Sequence, residues 1–305
     1  MAVYGLDIGG TKIETAIFDD KLNLISCWRV KTPTTNYQEF LSTIHQQVLK
    51  ADGLSKELCP VGIGMPGLIN DQGQVLSANV PCATHKYIAK DLLGLLNRPI
   101  AIKNDTRCFA LSESNNGAGE GSSRVFGAII GTGAAGGLCI NGHLENTKLG
   151  VAGEYGHIPL SAMLQKKYNL PILTCGCGLI GCVESYIAGP GVTRLYQHFY
   201  GQTVSAIQWN ENLQKNDVLA QQVLDCYLDI LAETFAVLCK LQEPDIIVLG
   251  GGISLVDSVI DGLPNKIEQH LFNGFKAPKV VRAKFGDSSG VRGAAILGMQ
   301  NVKKS

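Results

Sequence analysis

A strand–glycine turn–strand pattern occurs once in each half of this sequence, and the repetition limits the folds open to it. The first copy spans residues 3–18 and turns at Gly9-Gly10, and a further strand is predicted at 24–30. The second copy spans 125–140 and turns at 131–133. Short apolar runs separated by glycine turns are typical of antiparallel strands. The sequence therefore predicts two similar halves, each beginning with an antiparallel meander.

Helical and strand patterns alternate after each meander. Apolar residues at helical spacing predict helices at 37–49 and 218–238. Short apolar runs predict buried strands at 61–65, 100–103 and 245–249. This alternation is typical of parallel strands joined by helical crossovers, so the predicted fold class is α/β.

The chain has 305 residues, of which 45% are hydrophobic, and this is enough for two cores. We expect a small N-terminal lobe of residues 1–118 and a larger C-terminal lobe of residues 119–290 that carries a run of cysteines. An apolar helix predicted within 291–305 is expected to pack back onto the first lobe.

The charge pattern argues against polyanionic partners. Basic and acidic residues balance at 26 each, and no basic run is longer than the pair Lys303-Lys304. Neither nucleic acid nor an anionic membrane is therefore expected as a partner. No apolar stretch approaches the ~20 residues that span a bilayer, and the first residues lack the pattern of a signal peptide. We expect a cytosolic protein whose scattered cysteines are reduced thiols.

A run of closely spaced cysteines predicts a zinc site formed by Cys175, Cys177 and Cys182. Cysteines on either side of one glycine do not easily bridge each other, whereas their sulfurs can converge on zinc at ~2.3 Å. A disulfide within the run is the alternative. The fourth ligand is expected to be a histidine: His157 first, with His143 and His198 as competitors.

Both glycine turns are candidate phosphate sites. Backbone N–H groups of such turns can face a phosphate, and Asp7 and Thr11 add a carboxylate and a hydroxyl to the first turn. An ordinary tight turn has the same composition and is the alternative, but matching turns in two halves favour a nucleotide clamp. A P-loop is excluded because no Gly-Lys-Ser/Thr follows. A dinucleotide fingerprint is excluded because each turn joins strand to strand.

Two further segments follow predicted strands. Asn104-Asp105 lies at the carboxyl end of strand 100–103, where open α/β sheets place their ligands, and Asp105 is the candidate catalytic residue. The alternative is that Asp105 caps the next helix, and both roles are compatible. Glycines 250–252 follow strand 245–249 and are a candidate for the adenine end of a nucleotide, although a close strand-to-helix turn looks the same. Ser254 is expected to cap the helix beyond them.

Several motifs in this order resemble the ROK family of sugar kinases over residues 3–299. They are Asp7-x-Gly-x-Thr11, Asn104-Asp105, Gly131-Thr-Gly133, Glu154-x-Gly-His157 and the cysteine run followed by Glu184. Segments 77–81 and 104–113 are most similar to bacterial N-acetylglucosamine kinases. The resemblance implies two ribonuclease-H-like lobes of the actin-like ATPase architecture, with ATP and sugar bound between them. It also implies a homodimer.

The resemblance further implies ATP-dependent transfer of phosphate to the sugar 6-hydroxyl. Asp105 would accept the hydroxyl proton, late in the reaction because the hydroxyl is a weak acid. The implied sugar-binding residues are Gly67, Asn79, Asn104, Asp105, Glu154, His157 and Glu184. The residues assigned to ATP are Asp7, Gly9, Gly10, Thr11, Lys12, Thr132, Gly133, Gly136, Gly137, Gly251 and Gly252.

Two metals are expected in different roles. Mg²⁺ would arrive with ATP, with Asp7 as its protein ligand, directly or through water. Zinc held by four protein ligands would be structural, and His157 could bind it through one nitrogen while donating to the sugar through the other.

The substrate and one turn residue are left open by the sequence. Glucose, mannose, fructose or N-acetylmannosamine are alternatives to N-acetylglucosamine, and a non-catalytic sugar-binding or regulatory ROK protein is an alternative of another class. A DNA-binding segment ahead of the first turn is not expected, because that turn begins at Asp7. Position 135 is alanine where the family often has glycine, and this affects the turn only if φ there is positive.

Overall fold

The computed structural model describes residues 2–302, so the last three residues of the predicted helix 291–305 lie outside the described part. The strands are β1 Val3–Ile8, β2 Lys12–Phe18, β3 Leu24–Lys31, β4 Val61–Met65, β5 Leu68–Ile69, β6 Val75–Leu76, β7 Ile100–Asn104, β8 Arg124–Ile130, β9 Ala134–Ile140, β10 His143–Leu144, β11 Ile246–Gly250 and β12 Lys279–Arg282.

The α-helices are α1 Tyr37–Ser55, α2 Ile88–Leu96, α3 Asp105–Ser114, α4 Ala162–Tyr168, α5 Glu184–Ile187, α6 Gly189–Tyr200, α7 Ala206–Gln214, α8 Val218–Gln242, α9 Asp257–Glu268 and α10 Ser289–Val302. Short 3₁₀ helices lie at Pro81–Ala83, Tyr155–His157, Gly252–Leu255 and Gly286–Ser288. Ser254 does not cap α9, so that prediction is wrong. Val256 is the N-cap, and the Ser254 hydroxyl donates to Gly251 O at 2.7 Å within the 3₁₀ turn.

The chain divides into two compact units. Unit 1 contains the residues up to 117, the segment 142–152 and the residues from 287 onward, whereas unit 2 contains 118–141 and 153–286. Each unit has its own apolar core. In unit 1 the core lies between the sheet and helices such as α1, whose first turn is capped by the Asn36 side chain.

The sheets of the two units have the same strand pattern. In unit 1 the order is β3-β2-β1-β4-β7, with β1–β2 and β2–β3 antiparallel and β1–β4 and β4–β7 parallel. In unit 2, β9 pairs antiparallel with β8, and β8, β11 and β12 run parallel. The order β9-β8-β11-β12 thus repeats β2-β1-β4-β7. The predicted repetition of an antiparallel meander followed by parallel strands is confirmed.

Helix α10 lies directly on the sheet of unit 1. A Cβ atom at Gly5 would lie 2.0 Å from Val291 O, and one at Gly62 would lie 1.8 Å from Ala294 O. Because these strand positions are glycine, the helix backbone can approach β1 and β4 without side chains between them. The long helix α8 belongs to unit 2 and buries an apolar face in the core of that unit. Within residues 2–302, no helix is both long and apolar enough to span a lipid bilayer.

Candidate functional site

The first glycine turn joins β1 to β2 and is held by its own backbone. Gly9 N–H donates to Lys12 O at 2.8 Å, and Gly9 O accepts the Thr32 hydroxyl at 2.8 Å. Gly10 and Thr11 are exposed at the tip. A Cβ atom at Gly10 would lie 3.1 Å from Asn79 O, so the turn touches the segment that contains this sugar-binding candidate.

Asp7 is a half-buried residue of β1, and the negative charge of Asp105 acts on it. Burial, followed by the negative charges of Asp105 and Glu14, raises the pKa of Asp7 to about 7, while Lys12 acts in the opposite direction. Burial also raises the pKa of Asp105, against the backbone hydrogen bonds that it accepts. A shared cation such as Mg²⁺ would favour the charged form of both carboxylates.

Asn104 and Asp105 stand at the junction of β7 and α3, as the sequence predicts. Asn104 caps α3, because its Oδ1 accepts from Thr106 N–H at 2.9 Å, and its Nδ2 donates to Gly67 O at 2.9 Å. Asp105 Oδ1 also accepts from Thr106 N–H, at 2.8 Å. Gly67 has φ +112° and passes close to Leu76 O, so only glycine fits there. Unit 1 therefore brings Asp7, the first turn, Gly67, Asn79, Asn104 and Asp105 into one region.

The second glycine turn, residues 131–133, is tied to Glu184 within unit 2. Ala134 N–H donates to Glu184 Oε2 at 2.9 Å, and a Cβ atom at Gly133 would lie 2.9 Å from the same oxygen. Glycine at 133 therefore makes room for the carboxylate. Glu184 is the first residue of α5, where a negative charge is favoured by the helix dipole.

Ala135, Gly136 and Gly137 lie within β9 and not in the turn. Ala135 pairs with Ile129 in the antiparallel ladder and is absent from the positive-φ residues of the described chain, so alanine causes no strain there. Gly136 N–H donates to Gly153 O at 2.8 Å, and a Cβ atom at Gly136 would lie 2.3 Å from Gly127 O. These glycines permit close backbone packing beside the turn.

A cavity of about 530 Å³ in unit 2 opens beside the second turn. It is lined by Gly131, Thr132, Gly189, Pro190, Ala206, Ile207, Asn210, Gly252, Ile253, Leu255 and Val256. The surface is mainly apolar with one amide, which suits a flat heteroaromatic ring. Thr132 and Gly252 were both predicted to bind ATP, Thr132 at the phosphates and Gly252 at the adenine end. The apolar lining residues from α7 and the 3₁₀ turn were not predicted. Gly189-Pro190 was not predicted either, although a Gly-Pro pair is a recognisable sequence signal for the start of a helix, here α6.

The predicted metal cluster is present in unit 2. Ligand atoms of His157, Cys175, Cys177 and Cys182 all lie within 4.8 Å of one another. Cys177 Sγ is 3.7 Å from Cys182 Sγ, and Cys175 Sγ is 3.8 Å from His157 Nδ1. Two ligands of a tetrahedral zinc at ~2.3 Å are about 3.8 Å apart, so the cluster is compatible with structural zinc. All ten cysteines are free thiols.

Short backbone bonds shape the cysteine loop. Cys175 N–H donates to Leu179 O at 2.8 Å, and Gly178 and Gly181 adopt φ values of +89° and +79°. An isolated bridge between Pro159 and Cys182 brings the chain after His157 alongside the last cysteine. His157 therefore joins the cluster. His143 and His198 are not among the clustered ligands, and His198 Nε2 lies 3.2 Å from Tyr168 O.

His157 uses its two ring nitrogens in different directions. Nδ1 faces Cys175, and Nε2 lies 3.9 Å from Glu154 Oε2. Tyr155, between them, is buried and donates to Ile129 O at 2.9 Å, which fixes this 3₁₀ turn on β8. A metal on Nδ1 leaves Nε2–H as a donor directed toward Glu154 and any ligand beside it.

Comparison with known proteins identifies relatives along the whole chain. The ROK family profile matches residues 3–301. The chain is 50% identical to the N-acetylgalactosamine kinase AgaK of Shewanella sp. (strain ANA-3), covering 97% of this chain and 96% of that one. It is 40% identical to the N-acetyl-D-glucosamine kinase of Vibrio atlanticus (strain LGP32), over 98% and 99% of the two chains.

Solved structures share the fold over the full length. The ROK hexokinase from Thermus thermophilus has a TM-score of 0.86 at 29% identity, covering 100% of both chains. A ROK glucokinase from Streptomyces griseus in complex with glucose and AMPPNP has a TM-score of 0.77 at 27% identity, covering 98% of this chain and 100% of that one. The predicted actin-like ATPase fold is thereby confirmed.

Proposed function

The chain belongs to the ROK family, and we propose that it transfers the γ-phosphate of ATP to the 6-hydroxyl of N-acetyl-D-glucosamine, giving N-acetylglucosamine 6-phosphate and ADP. The observation that carries this proposal is full-length identity of 38–40% to proteins named N-acetyl-D-glucosamine kinase. The site chemistry supports it, because a buried carboxylate, two glycine turns and an apolar cavity are the parts that sugar phosphorylation needs.

Asp105 is the proposed catalytic residue. Its carboxylate accepts the hydrogen bond of the sugar 6-hydroxyl, orients the attacking oxygen and takes the proton as the bond to phosphorus forms. Burial raises its pKa, which makes it a better base near neutral pH than an exposed aspartate. Asn104, bonded to both Gly67 O and Thr106 N–H, keeps the neighbouring backbone in place.

The glycine turn of each unit is proposed as a phosphate-binding element of the nucleotide site. In unit 2 the adenosine part enters the cavity lined by Ile207 and Leu255, and phosphate contacts the turn at Thr132-Gly133. In unit 1 the corresponding turn is Gly9–Thr11. Mg²⁺ bound to the phosphates would neutralise their charge, and the partly buried Asp7 carboxylate is suited to hold it, directly or through water.

Each unit carries polar groups that are proposed to bind sugar hydroxyls. Asn104, Asn79 and the backbone at Gly67 contribute from unit 1. Glu154, His157 and Glu184 contribute from unit 2. Ionised carboxylates accept strong hydrogen bonds from hydroxyls, and His157 Nε2 donates one. Zinc, held by four protein ligands, would have no position for substrate, so its role is to fix His157 and the loop before Glu184.

N-acetylgalactosamine is the second candidate substrate. The relative with 50% identity is named for that sugar, whereas those named for N-acetylglucosamine are 38–40% identical. The two sugars differ only in the configuration at C4, so the catalytic assignment is the same for both.

The test is ADP release from Mg·ATP with a panel of sugars, ranked by kcat/KM. The panel contains N-acetylglucosamine, N-acetylgalactosamine, N-acetylmannosamine, glucose, mannose and fructose. We expect N-acetylglucosamine to have the highest kcat/KM of the panel, and we expect phosphorus NMR to show that the phosphate of the product is on the C6 oxygen. A lead for N-acetylgalactosamine would establish the second candidate. Absence of turnover with every sugar would overturn the kinase proposal and favour a non-catalytic sugar-binding protein.

Two properties of the whole protein are also proposed. A homodimer is expected from the family, and light scattering after gel filtration tests it. A cytosolic location is supported by ten free cysteines. Two of them, Cys27 and Cys177, are exposed, and Cys27 lies outside the proposed zinc cluster and would be oxidised in a secretory compartment. Fractionation of the cells that express it tests the location.

A further inference from the structure

A buried arginine fixes a loop to the helix that begins at Asp105. Arg107, two residues into α3, is 5% exposed. Its Nη2 donates to Gly150 O and to Ala152 O, both at 2.6 Å. A guanidinium that donates to two carbonyl groups fixes their relative position, because its N–H donors form a rigid planar fork. The segment 147–152 is therefore anchored to the proposed catalytic helix.

The same loop is fixed on its other side by the hairpin that follows Gly67. Gly150 has φ +77°, and a Cβ atom on it would lie 2.4 Å from Ile69 O. Asp71 N–H donates to Lys148 O at 2.8 Å. The loop thus lies between the two elements of unit 1 that carry the sugar-binding candidates Gly67 and Asp105.

Two apolar side chains on this anchored loop are exposed. Leu149 is 73% exposed and Val151 is 47% exposed, on either side of Gly150. Single exposed apolar residues are common on protein surfaces. These two are distinguished by their place on a loop that is held by a buried arginine of α3 and by a close glycine contact with the hairpin after Gly67.

We propose that Leu149 and Val151 contact the methyl group of the substrate's acetamido substituent and thereby select N-acetylated sugars. This inference rests on the proposed function. The acetamido group distinguishes an N-acetylhexosamine from a hexose, and its methyl is the strongly apolar part of the sugar. One methyl group in an apolar contact gives a discrimination of roughly 5- to 10-fold. The remaining selectivity would come from hydrogen bonds to the amide.

The test compares N-acetylglucosamine with N-formylglucosamine, which lacks only the methyl group. The wild type is expected to prefer the acetyl compound by roughly 5- to 10-fold in kcat/KM. The double variant Leu149→Asn/Val151→Thr keeps the branching pattern of both side chains but makes both positions polar. It is expected to reduce that preference to less than about 2-fold.

Leu58→Asn is the matched control, because Leu58 is 79% exposed in unit 1 and lies outside this loop. It should retain the wild-type preference. Thermal unfolding of each variant confirms that it is folded. A double variant that is folded and active but keeps the full preference overturns the inference while the kinase proposal stands. Failure of the wild type to phosphorylate either sugar overturns the proposed function itself.

Discussion

The backbone N–H of Ala134 donates a 2.9 Å hydrogen bond to Glu184 Oε2, and Glu184 Oε1 lies 3.5 Å from Cys175 Sγ. One carboxylate therefore connects the second glycine turn to the cysteine cluster. The turn is assigned to ATP, and the cluster contains His157, which is assigned to the sugar. A change at Glu184 should therefore affect the binding of both substrates.

Glu184→Gln replaces a charge-assisted bond by a weaker neutral one. We expect KM for ATP and KM for the sugar each to rise about 10-fold, which corresponds to about 1.4 kcal/mol. Steady-state kinetics with each substrate varied in turn measures this. Glu120→Gln, an exposed change in the same unit, should leave both constants unaltered. A rise confined to the sugar would show that the turn does not depend on Glu184.

Asp105→Asn tests the proton acceptor. Asparagine keeps an oxygen that can accept from Thr106 N–H, so α3 should still begin at the same residue. The amide cannot take a proton, and loss of a general base lowers kcat by about 10²- to 10⁴-fold. Sugar affinity, measured by calorimetry without ATP, should change little. Asp20→Asn, an exposed change in unit 1, is the control. Near-normal kcat in Asp105→Asn would disprove the assigned role.

The cysteine cluster should hold one zinc per chain. Cys182→Ser removes a buried ligand, so we expect loss of the metal by elemental analysis, a lower unfolding temperature and a higher sugar KM as His157 loses its fixed orientation. Cys27→Ser is the matched control, because Cys27 is exposed and lies outside the cluster. Full zinc content in Cys182→Ser would show that the metal is bound elsewhere.

Local patterns in the sequence predicted much of the fold and the metal site. Strands β1, β2 and β3 and the repeated turns follow from short-range apolar and glycine patterns, and the three cysteines of the cluster lie close together along the chain. The choice of His157 over two other histidines required the tertiary bridge to Cys182. Ser254 was wrongly predicted to cap α9, because its hydroxyl donates to Gly251 O at the start of the 3₁₀ turn instead.

Contacts between distant segments could not be predicted. Ile207 and Leu255 are ordinary apolar residues until folding places both in the cavity beside the second turn. The need for glycine at position 290 also arises only in the folded chain, where a Cβ atom on Gly290 would lie 2.6 Å from Asp7 Oδ2. Such contacts depend on how helices pack on sheets, which periodicity along the chain does not determine.

Asp7 should make the stability of the ligand-free protein depend on pH. Its pKa is about 7 in the folded state, against about 3.9 in an unfolded chain. The folded state therefore binds more protons between pH 4 and 7, so the free energy of unfolding falls as pH rises through this window. Asp7→Asn removes this contribution and should be more stable than the wild type above pH 7.

The measurement is urea unfolding of the wild type and Asp7→Asn at pH 5, 6 and 8. The stability difference between them should shift in favour of the variant as pH rises, with most of the change complete by pH 8. Asp20→Asn should show a difference from the wild type that does not vary over the same range. A constant difference for Asp7→Asn would mean that Asp7 titrates at its ordinary pKa.

Arg107 should be irreplaceable even by lysine. An ammonium group lacks the planar fork that reaches both Gly150 O and Ala152 O, so Arg107→Lys leaves a buried carbonyl without its partner. Such a group lowers the free energy of unfolding by about 1–3 kcal/mol. Arg194→Lys is the matched control, because exposed Arg194 donates to one carbonyl, Ser185 O, which lysine can also reach. Chemical unfolding should show a lower free energy of unfolding for Arg107→Lys and a nearly wild-type value for Arg194→Lys. Because the loop 147–152 would lose its anchor, Arg107→Lys should also weaken the preference for N-acetyl over N-formyl sugar. Equal stability of Arg107→Lys and Arg194→Lys would show that the planar guanidinium is dispensable.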